Sequence, residues 1–410
     1  MIEITPVPRA LVPVDSAAAD ALSAPNYDEF QSDREIRDLL RQRPDCLLRV
    51  TMAHCDVPAP DAIGKADSEE SLARAAVNMA RLRGDARVRE VRDVLWVCEI
   101  TTPAGHRQIG LGGCARTDQI RTPERSAAPI IRNEGIREPK ARGRARLIER
   151  IGAIVDGVNN AVDDATGAFE AAVAAHAEGV AASFVTTDPA GNVHRVWVVQ
   201  DAPTIERFRA LLACEPRAYV ADGNHRSAAA AMLGHEHFLA VFFPAGAMHI
   251  APYNRLLARG VLAGLELPEM LRSTFDVDRH ENGAFQPALT HEIGLYRDGM
   301  WWRLRPRPGT FDPKDAAQDI DADIVQHRLF ADLLGIADAR DERLTFVGNN
   351  HDAAWLQAQV DAQRFDCAVT LPAVTMKQFI RVCLQDRLMP PKSTWFEPKI
   401  LSGLVMMLLE

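Results

Sequence analysis

The segment richest in chemistry is Tyr219-Val220-Ala221-Asp222-Gly223-Asn224-His225-Arg226-Ser227, which runs on into the helix-forming stretch Ala228 to Met232. An apolar strand enters Asp-Gly and a helix leaves it. Gly223 permits a tight turn and close backbone approach to a ligand. The N–H groups at a helix start lack partners within the helix and make a site for an anion such as a phosphate. Arg226 and His225 in the first turn add charged donors, with Asn224 and Ser227 beside them. Asp222 can accept from a ligand hydroxyl or amine, or help to hold a metal ion. A structural reading stands next to this one: Asp222 caps the helix, Gly223 only turns the chain, and Arg226 pairs with an acid. Neither a GxxxxGK[ST] loop nor a full GxGxxG occurs.

A second segment, Ile131-Arg132-Asn133-Glu134-Gly135-Ile136-Arg137-Glu138-Pro139-Lys140, sets Glu134 among cations. Such a field keeps a carboxylate ionised, and a closed pocket raises its basicity, so Glu134 is a candidate base for a substrate hydroxyl. A solvated charged loop is the alternative. A third, Pro390-Pro391-Lys392-Ser393-Thr394-Trp395-Phe396-Glu397-Pro398-Lys399, is stiffened by prolines. Lys392, Ser393, Thr394 and Lys399 offer donors for an anion, or the run is a rigid loop that docks the chain end. A fourth is Pro252-Tyr253-Asn254-Arg255, either pocket wall or helix cap. Other patterns carry less. Gly110-Leu111-Gly112-Gly113-Cys114-Ala115 fits GxGxxA, but Arg116-Thr117-Asp118 follows where a dinucleotide fold needs an apolar helix. His235-Glu236-His237 does not put two histidines on one helix face. Asp319, Asp321 and Asp323 lack the Gly and Glu of a calcium loop and read as the start of the next helix. No GxSxG is present.

These segments need elements to hold them. Residues 1–30 are rich in Pro and Ala and read as extended chain. Ser32-Asp33 starts a helix, and Cys46 to Met52 reads as a strand. Ser68 caps an amphipathic helix to Arg83, with Leu72, Ala75, Ala76, Met79 and Leu82 on one face. Val94 to Ile100 and Gln108 to Ala115 form a hairpin. Arg144 to Ala161 and Ala165 to Gly179 read as helices. Ala182 to Thr187 and His194 to Val199 are strands about Asp188-Pro189-Ala190-Gly191. Pro203 to Ala213 is a helix, and Ala218 to Val220 and Phe238 to Phe243 are strands. His291 to Arg305 turns at Asp298-Gly299, and Asp323 to Leu334 is a helix stopped by Gly335. At roughly 150 residues per domain, 410 residues give two or three domains. The division read here is 1–125, 126–262 and 263–410.

Composition narrows the function. The chain is 47% hydrophobic and 25% charged, which suits a folded globular protein. Its net charge of -9 argues against a general nucleic-acid binder. No run of about 18 apolar residues marks a membrane span, and Met1-Ile2-Glu3-Ile4 does not begin a secretory signal. Seven scattered cysteines without CxxC point to buried thiols in a reducing cytoplasm rather than to disulfides or structural zinc.

The chain resembles, almost end to end, the bacterial and archaeal family known as domain of unknown function 1015. The marks are Ala24-Pro25-Asn26-Tyr27-Asp28, Gly110 to Cys114, Glu134 with its basic stretch, Ala221 to Ala228, Pro252 to Arg255, and Met389 to Leu404. The middle of that family looks like the ParB/sulfiredoxin fold, which also contains free serine kinases. Those kinases have an early acidic residue and a later Asp-Gly-His-x-Arg segment, the order of Glu134 and Asp222 to Arg226 here. The resemblance implies an α+β chain whose central ParB/sulfiredoxin-like domain is flanked by N-terminal and C-terminal α/β regions. It implies phosphorylation of the hydroxyl of a small free amino acid, L-serine foremost, with ATP or ADP and Mg²⁺. Glu134 would be the base, and Asp222, Gly223, Asn224, His225, Arg226 and Ser227 the nucleotide site, with Asp222 on the metal. Tyr253, Asn254, Arg255, Lys392, Ser393, Thr394 and Lys399 would shape the substrate pocket. Relatives commonly carry His where this chain has Asn224 and Asn133. The competing expectation is a nucleotide-gated, ParB-like binding protein, for which the basic run 132–150 speaks. A sulfiredoxin-like reductase needs a cysteine beside the phosphates, and that segment has none. A homodimer is compatible with either reading.

Overall fold

The computed structural model describes residues 1–265 and 267–409. The architecture is mixed α and β, with two compact units. The first comprises Met1–Arg132, Ile136–Met248 and Pro398–Glu410, and the second Asn133–Gly135 and His249–Glu397. These bounds differ from the three sequence regions, because strands from 1–125 and 126–262 share one hydrogen-bonded sheet.

That sheet has twelve strands. Its main path runs Ile130–Arg132, Ala218–Asp222, Val158–Val162, His237–Pro244, Arg107–Arg116, Val88–Thr101, Val7–Pro13, Met406–Leu408 and Ala153–Ile154. Two pairings are parallel, Ala218–Asp222 with Ile130–Arg132 and His237–Pro244 with Val158–Val162, and the rest of the path is antiparallel. The central strands Val158–Val162 and His237–Pro244 are buried along nearly their whole length, as both faces are covered. The glycines of Gly110-Leu111-Gly112-Gly113 lie inside Arg107–Arg116. A Cβ on Gly112 would stand 1.9 Å from the Trp96 ring, so this glycine makes room for a neighbouring indole. The segment is a packed strand and not a nucleotide loop, as its polar sequel suggested.

The helices follow their caps. Ser32 and Ser68 accept from the N–H groups of Glu35 and Ser71, opening the helices Asp33–Gln42 and Glu69–Arg83. Asp201 caps Ala202–Leu212 in the same way. Three expectations fail. Residues 1–30 are not simply extended: the strands Ile4–Thr5 and Val7–Pro13 precede a helix, Ser16–Leu22, capped by Asp15. Cys46 to Met52 is not a strand. Arg49 and Val50 donate back to Cys46 and Leu47, and a short helix, Leu48–Thr51, results. A brief apolar run does not distinguish the two states, and burial among Leu22, Met79 and Leu82 suits the helix. Arg144 to Ala161 is not one helix. The helix Glu138–Ile151 ends at Gly152 in the left-handed conformation, and Val158–Val162 crosses the sheet as a strand.

The second unit is built on an antiparallel sheet of six strands, in the order Phe275–His280, Met300–Pro306, Ile293–Arg297, Phe365–Thr370, Asn254–Ala258 and Leu344–Val347. The expected hairpin turns at Asp298-Gly299, both with positive φ. A core of Leu256, Tyr296, Trp301, Val347 and Leu356 covers one part of it. Phe365–Thr370 and Asn254–Ala258 are not anticipated from the sequence, because they are mostly buried on both faces and lack the alternation of a half-exposed strand.

Candidate active site

In the first unit the strand Ala218–Asp222 ends in the expected turn. Gly223 has φ +101°, and the helix Asn224–Met232 follows it. A Cβ on Gly223 would lie 2.9 Å from Arg226 Nε and 3.2 Å from Val158 Cα, so only glycine fits. The turn lets Arg226 fold back. Its guanidinium donates to Asp222 Oδ2 at 2.5 Å and to the Gly157 carbonyl at 2.5 Å. Burial works against the Arg226 charge, but Asp222, Asp156, Tyr27 and Asp28 outweigh it and raise the pKa above the ordinary arginine value. Arg226 is therefore a brace for the turn as well as a positive centre. His225 is tied to the residue that precedes the helix Glu138–Ile151. Its Nε2 accepts from the Arg137 N–H at 3.0 Å, which leaves only Nδ1 to donate. Ser227 is fully buried, and its hydroxyl donates to the Asn224 carbonyl. Asn224 is itself buried.

Other side chains gather here. Asp222 pairs in register with Asn159 on the neighbouring strand. Asp156 precedes that strand, and the Arg144 guanidinium reaches it at 4.0 Å. Arg144, Asp156, Val158 and Arg226 line one small cavity of about 30 Å³, room for about one water molecule. Asp156 Oδ1 and Asn159 Oδ1 are buried and have no protein partner. The sequence reading missed both residues. The available signal was Asn159-Asn160 in the middle of a strand, where asparagine is disfavoured. Tyr27 lies under two cations, with Lys140 Nζ 5.0 Å and Arg144 Cζ 4.3 Å from its ring centroid. Lys399, nearly buried, pairs with Asp28 at 3.2 Å. Next to that pair, burial pushes the Glu29 carboxyl up to about 7; Lys399 opposes the shift and Asp28 adds to it.

These groups suit a phosphorylated ligand and a hard cation. The oxygens of Asp222, Asp156 and Asn159 are the donor type that Mg²⁺ takes. Among the described residues, the only three His, Cys, Asp or Glu side chains with donor atoms mutually within 4.8 Å are Asp33, His54 and Cys55. Among the described residues, His235-Glu236-His237 and the Asp319 to Asp323 run form no such group. Six of the seven cysteines are buried free thiols and Cys214 is exposed.

The second unit holds the remaining predicted residues. Glu134 forms a bridge with Met389, and its Oε2 accepts from the Lys392 N–H at 3.5 Å. Met389 donates to the Asn133 carbonyl at 2.9 Å. Glu134 and the Lys392 loop are thus brought together. Lys392 Nζ lies 5.4 Å from the Tyr253 ring centroid, and Tyr253 meets Trp395 edge to face. Ser393 donates to the Pro390 carbonyl, and Thr394 is half-buried. Asn254 and Arg255 hold the unit together. Asn254 accepts from Leu371 N–H and donates to Gln286. Arg255 is 3% exposed, donates to the carbonyls of Tyr253 and Lys392, and lies over Phe346. Burial lowers its pKa to about 10.

The family model described as protein of unknown function, DUF1015, matches residues 4–329. The chain belongs to the DUF1015 family. No curated protein matches it. Solved structures similar to this DUF1015 chain include a conserved hypothetical protein from Pyrococcus furiosus. It is 11% identical, with 70% of this chain and 90% of that one covered and a TM-score of 0.38. A free serine kinase in complex with AMP is 8% identical over 70% of this chain and 86% of that one, with a TM-score of 0.40. SbnI with a C-terminal truncation, from Staphylococcus aureus, is 12% identical over 70% and 82%, with a TM-score of 0.36. No helix among the described residues is long and apolar enough to cross a membrane.

Proposed function

We propose that this protein is a nucleotide-dependent kinase that phosphorylates the side-chain hydroxyl of a small free amino acid, L-serine foremost. The observation that carries the reading is the Asp222–Gly223 turn, where a helix start, a buried guanidinium and oxygen donors without protein partners occupy one end of the sheet. The ParB/sulfiredoxin-like character assigned to residues 126–262 is part of the same proposal.

In this reading the first-turn N–H groups of the helix Asn224–Met232 hold phosphate oxygens. Arg226 supplies positive charge while fixing Asp222, and Arg144, Lys140 and Lys399 add cations from the same unit. Asp222, Asp156 and Asn159 would hold Mg²⁺, which neutralises charge on the phosphates when bound. Glu134 takes the proton of the substrate hydroxyl. The hydroxyl oxygen bonds to the terminal phosphorus of ATP or ADP as the bond from that phosphorus to the leaving phosphate oxygen breaks. Tyr253, Lys392, Ser393 and Thr394 then form the substrate wall, with Asn254 and Arg255 positioning it.

The ParB-like alternative draws on the basic run, and part of its charge is matched inside the first unit. Arg142 pairs with Glu138, Arg146 with Glu69, and Arg144 lies by Tyr27 and Asp156. A DNA-binding face needs such cations exposed and unmatched.

The test is a screen of the purified protein with Mg²⁺ and ATP or ADP against the hydroxylated amino acids, read by phosphorus NMR. A new phosphomonoester with one acceptor establishes the kinase. Glu134→Gln then lowers turnover by about 10² or more. No transfer to any acceptor sinks the proposal.

A further inference from the structure

The second unit contains a cavity of about 420 Å³ that no part of the kinase reading uses. This volume is in the range of small-molecule sites. Its wall includes Asp323, His327, Arg328, Asp332, Arg387 and Leu388. The helix that supplies four of them is unusual. It starts as an α-helix at Asp321–Ile324 and continues as a π-helix over Val325–Ala331, with the Asp332 N–H reaching back five residues to the His327 carbonyl. π-Helical turns are rare and concentrate at functional sites, since they give up good backbone geometry to re-aim side chains.

The charges on this wall have a definite balance. Asp323 is only 8% exposed, and His327 Nε2 lies 3.5 Å from its Oδ1. Burial raises its pKa, and His327, Arg387 and Arg328 offset this only in part. Arg328 is held by Asp332 at 2.9 Å and by the Thr310 carbonyl at 2.8 Å. Arg387 is held by Asp315 at 2.6 Å. The lining thus offers two carboxylates and two guanidiniums, with Phe311, Ile324 and Leu388 as apolar surface. A polyanion such as a nucleotide gains nothing from a formally neutral wall. A small molecule with an ammonium and a carboxylate matches it.

We propose that this cavity is a second small-molecule site, and that it binds a free α-amino acid: the ammonium on Asp323, the carboxylate towards Arg328 and Arg387. The site has a direct route to Glu134. Arg387 and Leu388 are followed by Met389, which bridges Glu134 and donates to the Asn133 carbonyl, and a Cβ on Gly135 would lie 4.0 Å from Leu388. Occupancy therefore regulates the Glu134 loop, a consequence that rests on the kinase reading; the binding itself does not.

The experiment is titration calorimetry of the full chain, without nucleotide, against the standard L-amino acids one at a time. At least one is expected to bind. Asp323→Asn is expected to weaken it about tenfold or more, the loss of a charge-assisted bond. Leu388→Trp, a change at an exposed position that narrows the cavity, is expected to abolish it. The titration contains no nucleotide and no transfer step, so its outcome is independent of the kinase reading. Absence of heat with every amino acid overturns the proposal. So does binding that folded Asp323→Asn leaves intact or, where that variant does not fold, that Leu388→Trp leaves intact.

Discussion

Arg226 and Asp222 close the glycine turn from both sides: the guanidinium meets the carboxylate at 2.5 Å across Gly223, and its second amino group meets the Gly157 carbonyl. Both side chains are mostly buried, at 16% and 21% exposure. Removing one partner leaves a charge in a poor environment, which costs more than the pair itself contributes. Arg226→Ala is expected to destabilise the protein by about 3 kcal/mol. Calorimetric nucleotide binding is expected to disappear as well, even under conditions where the variant is folded. Arg226→Lys keeps the charge but not the fork and is expected to recover only part of either property. Nucleotide binding of normal strength in folded Arg226→Ala would remove Arg226 from the site.

Gly223→Ala tests the turn itself. A residue with a Cβ at φ +101° is strained, and this Cβ would also press on Arg226 Nε. A loss of about 1–3 kcal/mol is expected, measured by chemical denaturation. A variant as stable as the parent would show that the turn relaxes freely.

Glu29 predicts a pH dependence. Its carboxyl is raised from 4.5 to about 7 in the folded chain, chiefly by burial. Between those values the folded protein keeps a proton that the unfolded chain releases. The stabilisation is complete below about pH 4.5 and is lost as pH rises through about 7. Thermal midpoints should therefore fall across this window more steeply in the parent than in Glu29→Gln. Parallel profiles for the two proteins would exclude Glu29 as the titrating group.

Arg255 separates bracing from catalysis in the second unit. Arg255→Ala leaves the Tyr253 and Lys392 carbonyls without this donor and strips the cation from Phe346. The expected cost is about 3 kcal/mol, read in urea by tryptophan fluorescence. Arg255→Met, which fills the space without a charge, is expected to recover part of the stability. Equal stability of all three proteins would mean that the buried guanidinium is not a brace.

The sequence by itself determined the parts whose information is local. Ser32, Ser68 and Asp201 cap the helices they precede, since a short oxygen-bearing side chain satisfies helix-start N–H groups wherever it stands. Asp222-Gly223 ends a strand and begins a helix because only glycine takes that backbone angle cheaply. The family too was legible, through motifs that survive as short strings. Tertiary structure decided the rest. Cys46 to Met52 took a helix because its neighbours bury it that way. Asp156 and Asn159 joined Asp222 through strand pairing between residues far apart in the chain. Arg226 became a brace, Arg255 was buried, and residues of a π-helical turn came to line a polar cavity with Asp323. No residue type or spacing encodes these outcomes, because each depends on which distant group removes water from a charge and which one replaces it.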